Sequence, residues 1–117
     1  MIEKVLHKKK LFALIVRNNF RKKKGWILHK KNQCAISVCY GEVKFKLIDG
    51  RKKSKSFNIE NNFNLNKKNH SVLIIPPGIW FSFTTTKRKS VFANFINSIH
   101  SDKESIKINK IKNYEIK

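Results

Sequence analysis

The chain of 117 residues is long enough to bury one core and too short for two, and its 40% apolar content, with nine Phe and two Trp, excludes a disordered chain. Against 7 acidic residues stand 27 basic ones, a formal charge of +20 that attracts anions from beyond contact distance. Only Arg17, Arg21, Arg51 and Arg88 are arginines, so the planar fork that reads bases is scarce, and a lysine excess follows equally from AT-rich coding.

No N-terminal apolar run has signal-peptide length, and no run reaches the ~20 apolar residues of a membrane span. The cytoplasm is therefore the expected compartment, with no membrane partner. After a basic start ending at His7 to Lys10, Leu11 to Val16 is an unbroken apolar run that predicts a buried strand. Asn18 and Asn19 are expected to turn the chain into the basic patch Arg21 to Lys24. Gly25 to Lys31 reads as a second strand, with Ile27 and His29 on one face and Trp26 and Leu28 on the other.

Gln33 to Tyr40 alternates so that Cys34, Ile36 and Val38 share a face, Gly41 permits a tight turn, and Glu42 to Ile48 aligns Val43, Phe45 and Leu47. This predicts a hairpin. Cys34 and Cys39 lie on one predicted strand and project to opposite faces, so they cannot pair with each other. Asp49-Gly50 is a turn signal, and Arg51 to Ser56 reads as a solvated loop or charged edge.

Phe57/Ile59 and Phe63/Leu65 are period-two pairs that predict short edge strands with one face in the core. Ser71 to Ile75 reads as a buried strand, Pro76-Pro77-Gly78 as a rigid turn, and Ile79 to Thr84 as a strand with Ile79, Phe81 and Phe83 on one face. Val91 to Ile96 supplies the last strand, and Ser101 to Lys107 a short helical turn capped by Ser101 with Glu104 three residues on. Many short strands without a helical period predict an all-β sandwich or barrel, one domain over residues 1–117 with its core at about 11–98.

Several motifs occur in a fixed order: Lys24-Gly25-Trp26-Ile27-Leu28-His29-Lys30-Lys31, Tyr40-Gly41, Asp49 with Arg51, Ile75-Pro76-Pro77-Gly78-Ile79-Trp80, Asn94, and His100 with Glu104. In these the chain resembles the cupin family related to dTDP-4-dehydrorhamnose 3,5-epimerase. The resemblance implies a double-stranded β-helix, a jelly-roll-like barrel that is commonly a homodimer and holds a nucleotide-diphosphate keto-sugar in its mouth. It implies a histidine base that removes a proton beside the ketone, an acid that returns one, and polar groups at the developing enolate.

The chain departs from the pattern at three of these places. The first histidine of the family's His-x-His pair, which aligns with the epimerases' base, stands as Ile27; their tyrosine acid falls at Asn94 and a lysine at Cys34. The four places from which metal-binding cupins draw ligands hold Ile27, His29, Cys34 and Phe81, so neither a metal nor another cofactor is expected.

The expected catalytic residue is His29, which otherwise reads as an interior histidine held by one hydrogen bond. Arg17, Lys24, Lys30 and Lys31 are expected at the mouth, either on a pyrophosphate or as a solvated basic rim. Cys34, Phe81 and Asn94 complete the ligand-binding set, although Cys34 as a small apolar residue and Phe81 with Phe83 as core are competing readings. Trp26 and Trp80 are expected under a neighbouring sheet or subunit, and His7, His70 and His100 at the surface.

The expected function is a sugar-nucleotide epimerase or isomerase acting on a dTDP-4-keto-6-deoxy sugar in surface-polysaccharide biosynthesis. The alternatives are a cupin that binds a ligand or partner without turnover, and a basic β-barrel that binds nucleic acid. Against the last stands the want of evenly placed aromatics for base stacking.

Overall fold

The structure is a computed structural model that describes residues 12–19 (by their backbone), 25–69, 71–85, 89–96 and 104–108. Among these residues the chain forms β1 (Phe12–Asn19), β2 (Trp26–His29), β3 (Cys34–Tyr40), β4 (Glu42–Asp49), β5 (Glu60–Asn66), β6 (Val72–Ile75), β7 (Ile79–Thr85), β8 (Lys89–Ile96) and β9 (Ser105–Ile108). A single 3-10 turn, Lys67–Asn69, follows β5. The strands make two antiparallel sheets, in the orders β1-β8-β3-β6 and β5-β4-β7-β2-β9. Lys24, His7, His70 and His100 lie outside the described residues.

Alternation along the strands builds the interior. Cys34, Ile36 and Val38 from β3 meet Val43, Phe45 and Leu47 from β4, Ile79, Phe81 and Phe83 from β7, and Phe92 and Ile96 from β8, all buried in one cluster. Phe45, Phe83 and Phe92 form its aromatic centre, with ring centroids 5.0 to 5.9 Å apart and Phe92 edge-on to both others. Edge-to-face packing of this kind adds to the burial of each ring. The opposite face of the five-stranded sheet carries a smaller cluster in which Trp26 and Ile48 are buried against Trp80 and Ile108. Trp26 is thus covered within its own chain.

Four local readings are corrected. Asn18 and Asn19 extend β1 and pair with Ser90 and Lys89, because a ladder with β8 outweighs the turn preference of asparagine. Ser71 to Ile75 is not buried throughout: β6 is an edge strand, so Leu73 and Ile75 face the core while Val72 and Ile74 are 55% and 48% exposed. Of the Phe57/Ile59 and Phe63/Leu65 pairs only Leu65 is buried. Phe57 makes one bridge to Asp49, and Ile59 and Phe63 stay exposed beside or on the edge strand β5. The helical turn expected over Ser101 to Lys107 is replaced at Ser105–Ile108 by β9, whose ladder with Trp26–His29 supplies backbone partners that an isolated turn lacks.

A fifth reading is corrected at Gly41: β3 and β4 do not form the expected hairpin, because β3 pairs with β6 and β8 and β4 with β5 and β7, so the connection at Gly41, whose φ of 77° lies in the left-handed region, carries the chain from one sheet to the other. A Cβ there would run into the Ser90 hydroxyl and the Lys89 carbonyl. The Ser90 hydroxyl accepts the Glu42 amide and donates to the Glu42 carbonyl, both at 3.0 Å, which locks the turn onto β8. Gly41→Ala combines a disfavoured backbone conformation with this overlap. It is expected to cost about 2 kcal/mol or more, read as a lower urea midpoint with an unchanged slope; a midpoint like that of the wild type would refute the packing argument.

Candidate active site

β2 ends at His29 between β7 and β9, and the two neighbouring connections hold its main chain in place. The His29 carbonyl accepts the Gly78 amide at 2.8 Å, and the Lys30 amide donates to the Glu104 carbonyl at 2.8 Å. Gly78, with φ of 87°, closes the turn after Pro76-Pro77 and accepts the Gly50 amide on its own carbonyl at 2.9 Å. The Gly50 loop is braced in turn by a forked pair: Arg51 donates from Nε and Nη2 to the two oxygens of buried Asp49 at 2.9 and 3.0 Å. That fork holds the Asp49 carboxyl well below the usual carboxylate range, against the upward push of burial.

His29 is 6% exposed and its ring stacks on Phe81, ring centroids 6.0 Å apart at 22°. Its Nδ1 lies 2.6 Å from Glu104 Oε1. A carboxylate only accepts, so Nδ1 carries the proton in this pair and Nε2 carries the lone pair of the neutral ring. Glu104 Oε2 also accepts the amides of Lys31 at 3.2 Å and Asn32 at 3.3 Å, and Oε1 accepts Asn32 Nδ2 at 3.1 Å. Burial raises the Glu104 pKa, but the bonds from His29 and the two amides outweigh it, so the net direction is down.

Cys34 and Asn94 are neighbours on adjoining strands of the opposite sheet, with Asn94 Nδ2 donating to Cys34 Sγ at 3.4 Å. Burial pushes the Cys34 thiol up, the Asn94 bond opposes this and the Glu104 charge adds to it, which keeps the sulfur protonated and unreactive. Asn94 is 7% exposed and its Oδ1 has no partner among the described residues. A buried carbonyl oxygen in that state costs about 1–3 kcal/mol until a ligand or water donates to it.

The structure therefore brings His29, Phe81, Cys34 and Asn94 to the interior and leaves Lys30 and Lys31 exposed next to His29. Arg17 pairs with Val91 through β1, and its side chain, like Lys24, lies outside the description. Among the described residues no three His, Cys, Asp or Glu side chains gather as a metal site. Asn32, which donates twice to the partner of His29, carried no signal along the chain. Glu104 was visible only as part of a motif, and its 75-residue separation from His29 hides the pairing from any local pattern.

The profile of the dTDP-4-dehydrorhamnose 3,5-epimerase family matches residues 15–115. The chain belongs to this family. Among solved structures, a dTDP sugar isomerase from Desulfovibrio desulfuricans G20 is 25% identical with a TM-score of 0.82, covering 88% of this chain and 67% of its own. The Bacillus anthracis epimerase solved with TDP and PPi is 19% identical, TM-score 0.78, over 90% of this chain and 65% of its own. The Legionella pneumophila epimerase in complex with dTDP-4-keto-L-rhamnose is 20% identical, TM-score 0.77, over 91% and 58%. These likenesses establish the cupin jelly-roll fold, and the chain spans between 58% and 67% of the lengths of these three proteins. No protein of curated function matches in sequence.

The Glu104 carboxylate is the acceptor for four donors, all of them on residues 29 to 32, so its removal strands buried polar groups. Glu104→Ala is expected to cost about 2–4 kcal/mol at pH 7. Because the folded pKa lies below the unfolded value of about 4.3, the stabilisation is complete above that pH and is lost as pH falls through the folded value. The urea midpoints of wild type and variant should converge on acidification below about pH 4; a constant difference would show that the carboxylate's charge is not what holds this end together.

Proposed function

We propose that this cupin is a sugar-nucleotide epimerase or isomerase whose substrate is a dTDP-4-keto-6-deoxy sugar, as expected for surface-polysaccharide sugar biosynthesis. The observation that carries the reading is the buried His29–Glu104 pair at 2.6 Å against Phe81. Glu104 fixes the tautomer and stabilises the imidazolium, so Nε2 of His29 takes the proton beside the ketone. Lys30 and Lys31, with Arg17 and Lys24, serve the pyrophosphate, and the Asn94 carboxamide and Cys34 thiol meet hydroxyl and carbonyl groups of the sugar.

Asn94 stands where the epimerases place a tyrosine acid, and a carboxamide does not return a proton. With His29 as the one base, the proton it takes from carbon 3 is returned by the same imidazolium. Return to carbon 4, as the hydroxyl proton passes from O3 to O4, gives a 3-keto isomer; return to carbon 3 gives exchange without net change. Inversion needs a donor on the other face. The domain is proposed to act as a homodimer through the outer face of the four-stranded sheet, where Ala35 separates exposed Ile74 and Phe95 and Val72 lies alongside.

A second reading, ligand binding without turnover, is favoured by Ile27 at the epimerases' base position. Solvent-deuterium uptake into a panel of dTDP-4-keto-6-deoxy sugars separates the two. Uptake that disappears in His29→Ala is expected; uptake that survives the substitution refutes the assignment of His29. A thermal shift without any uptake would select the binding reading, and neither response would sink both. Ile74→Asp with Phe95→Asp should halve the mass seen by light scattering, and a monomeric wild type would end the dimer proposal.

A further inference from the structure

An open cavity of about 660 Å³ lies at the far end of β3, where the chain crosses to β4 in the other sheet, lined by Tyr40, Glu42, Asn66, Lys67, Lys68 and Lys89 among others. Tyr40 stands six residues along β3 from Cys34, roughly 20 Å at the usual rise per residue. The site is thus separate from the His29 cluster, and nothing argued for it rests on the reading of the barrel interior.

Three features converge there. First, Tyr40 is 63% exposed, so its ring contributes little to the core. It is carried on the rigid turn that Gly41 makes against Ser90. Second, Lys67 and Lys68 arrive from the 3-10 turn after β5 and Lys89 from the start of β8, so two separate segments bring ammonium groups to one concavity. Third, the single carboxylate in the lining, Glu42, is engaged by Asn64 Nδ2 at 3.1 Å and Asn66 Nδ2 at 3.4 Å. Among the described residues none of the three lysines enters an ion pair.

An aromatic face on a fixed backbone beside a cationic groove is how proteins hold nucleotides without reading their edges: the base stacks and the phosphates lie on the cations. Lysine, a point charge without a planar fork, suits phosphate attraction of this kind. The cavity volume falls within the range of about 300–1,000 Å³ typical of small-ligand sites. We propose that this concavity binds a nucleoside phosphate, its base stacked on Tyr40 and its phosphates on Lys67, Lys68 and Lys89.

The ligand is either a free nucleotide or a unit of a single strand, and titration of the full chain with a short fluorescent oligothymidylate, followed by anisotropy, distinguishes them. Competition by thymidine monophosphate assigns the free nucleotide; binding of the oligomer without such competition assigns the strand. In either case Tyr40→Ala should weaken binding about tenfold while leaving the affinity for inorganic polyphosphate unchanged. Lys67→Ser with Lys68→Ser should reduce the slope of log affinity against log salt by about one to two. His29→Gln should bind as the wild type does, and so should Lys52→Ser with Lys53→Ser in the exposed loop after β4. Unaltered binding by Tyr40→Ala, or an equal loss in the Lys52 and Lys53 variant, would overturn the proposal in favour of diffuse charge. A loss in His29→Gln would move the nucleotide into the barrel and overturn it equally.

Discussion

One end of the barrel depends on a single buried carboxylate. Glu104 is 8% exposed and collects four donors, from the His29 ring, the Lys31 and Asn32 amides and the Asn32 carboxamide. Taking a carboxylate out of water is costly unless its lone pairs are occupied, and here they are. The same residue immediately precedes β9, so its side chain and its carbonyl together tie the start of that strand to the end of β2. From His29 the connections continue through Gly78 and Gly50 to the Asp49–Arg51 fork. This end is held by polar contacts between loops, whereas the middle of the barrel is held by apolar packing around Phe45, Phe83 and Phe92.

Two buried polar side chains in the interior are treated in opposite ways. Glu104 is saturated with donors, and the tautomer it imposes on His29 is a consequence of that saturation. Asn94 spends its amide nitrogen on the weak acceptor Cys34 and leaves its oxygen without a partner among the described residues. The excess of positive charge is arranged differently: Lys30 and Lys31 at one end, and Lys67, Lys68 and Lys89 at the other, lie outside the apolar cluster around Phe45, Phe83 and Phe92.

Much of the architecture was legible because β3, β4 and β7 each bury one face, which writes a period of two into Cys34–Ile36–Val38, Val43–Phe45–Leu47 and Ile79–Phe81–Phe83. Gly41 and Gly78 were legible for a related reason, since a left-handed backbone position selects glycine. Burial along the edge strands was read poorly, although β5 was expected at an edge. Val72, Ile74 and Phe63 are as apolar as core residues, and only the position of β6 and β5 at the sheet margins explains their exposure. Asn18, Asn19 and the segment from Ser105 were misread because the partner strand, not the local preference, decides whether such residues are extended.

The candidate site divides along the same line. The interior placement of His29, Phe81, Cys34 and Asn94 was legible in the sequence through strand alternation together with motif order. That His29 is held at Nδ1 by Glu104, that Asn32 completes the shell, and that Tyr40 shares a concavity with Lys67, Lys68 and Lys89 were decided by the tertiary structure alone. Alternation within a strand is a property of neighbouring residues. A hydrogen bond across 75 residues, or a cavity assembled from separate segments, exists only after the sheets have closed on each other.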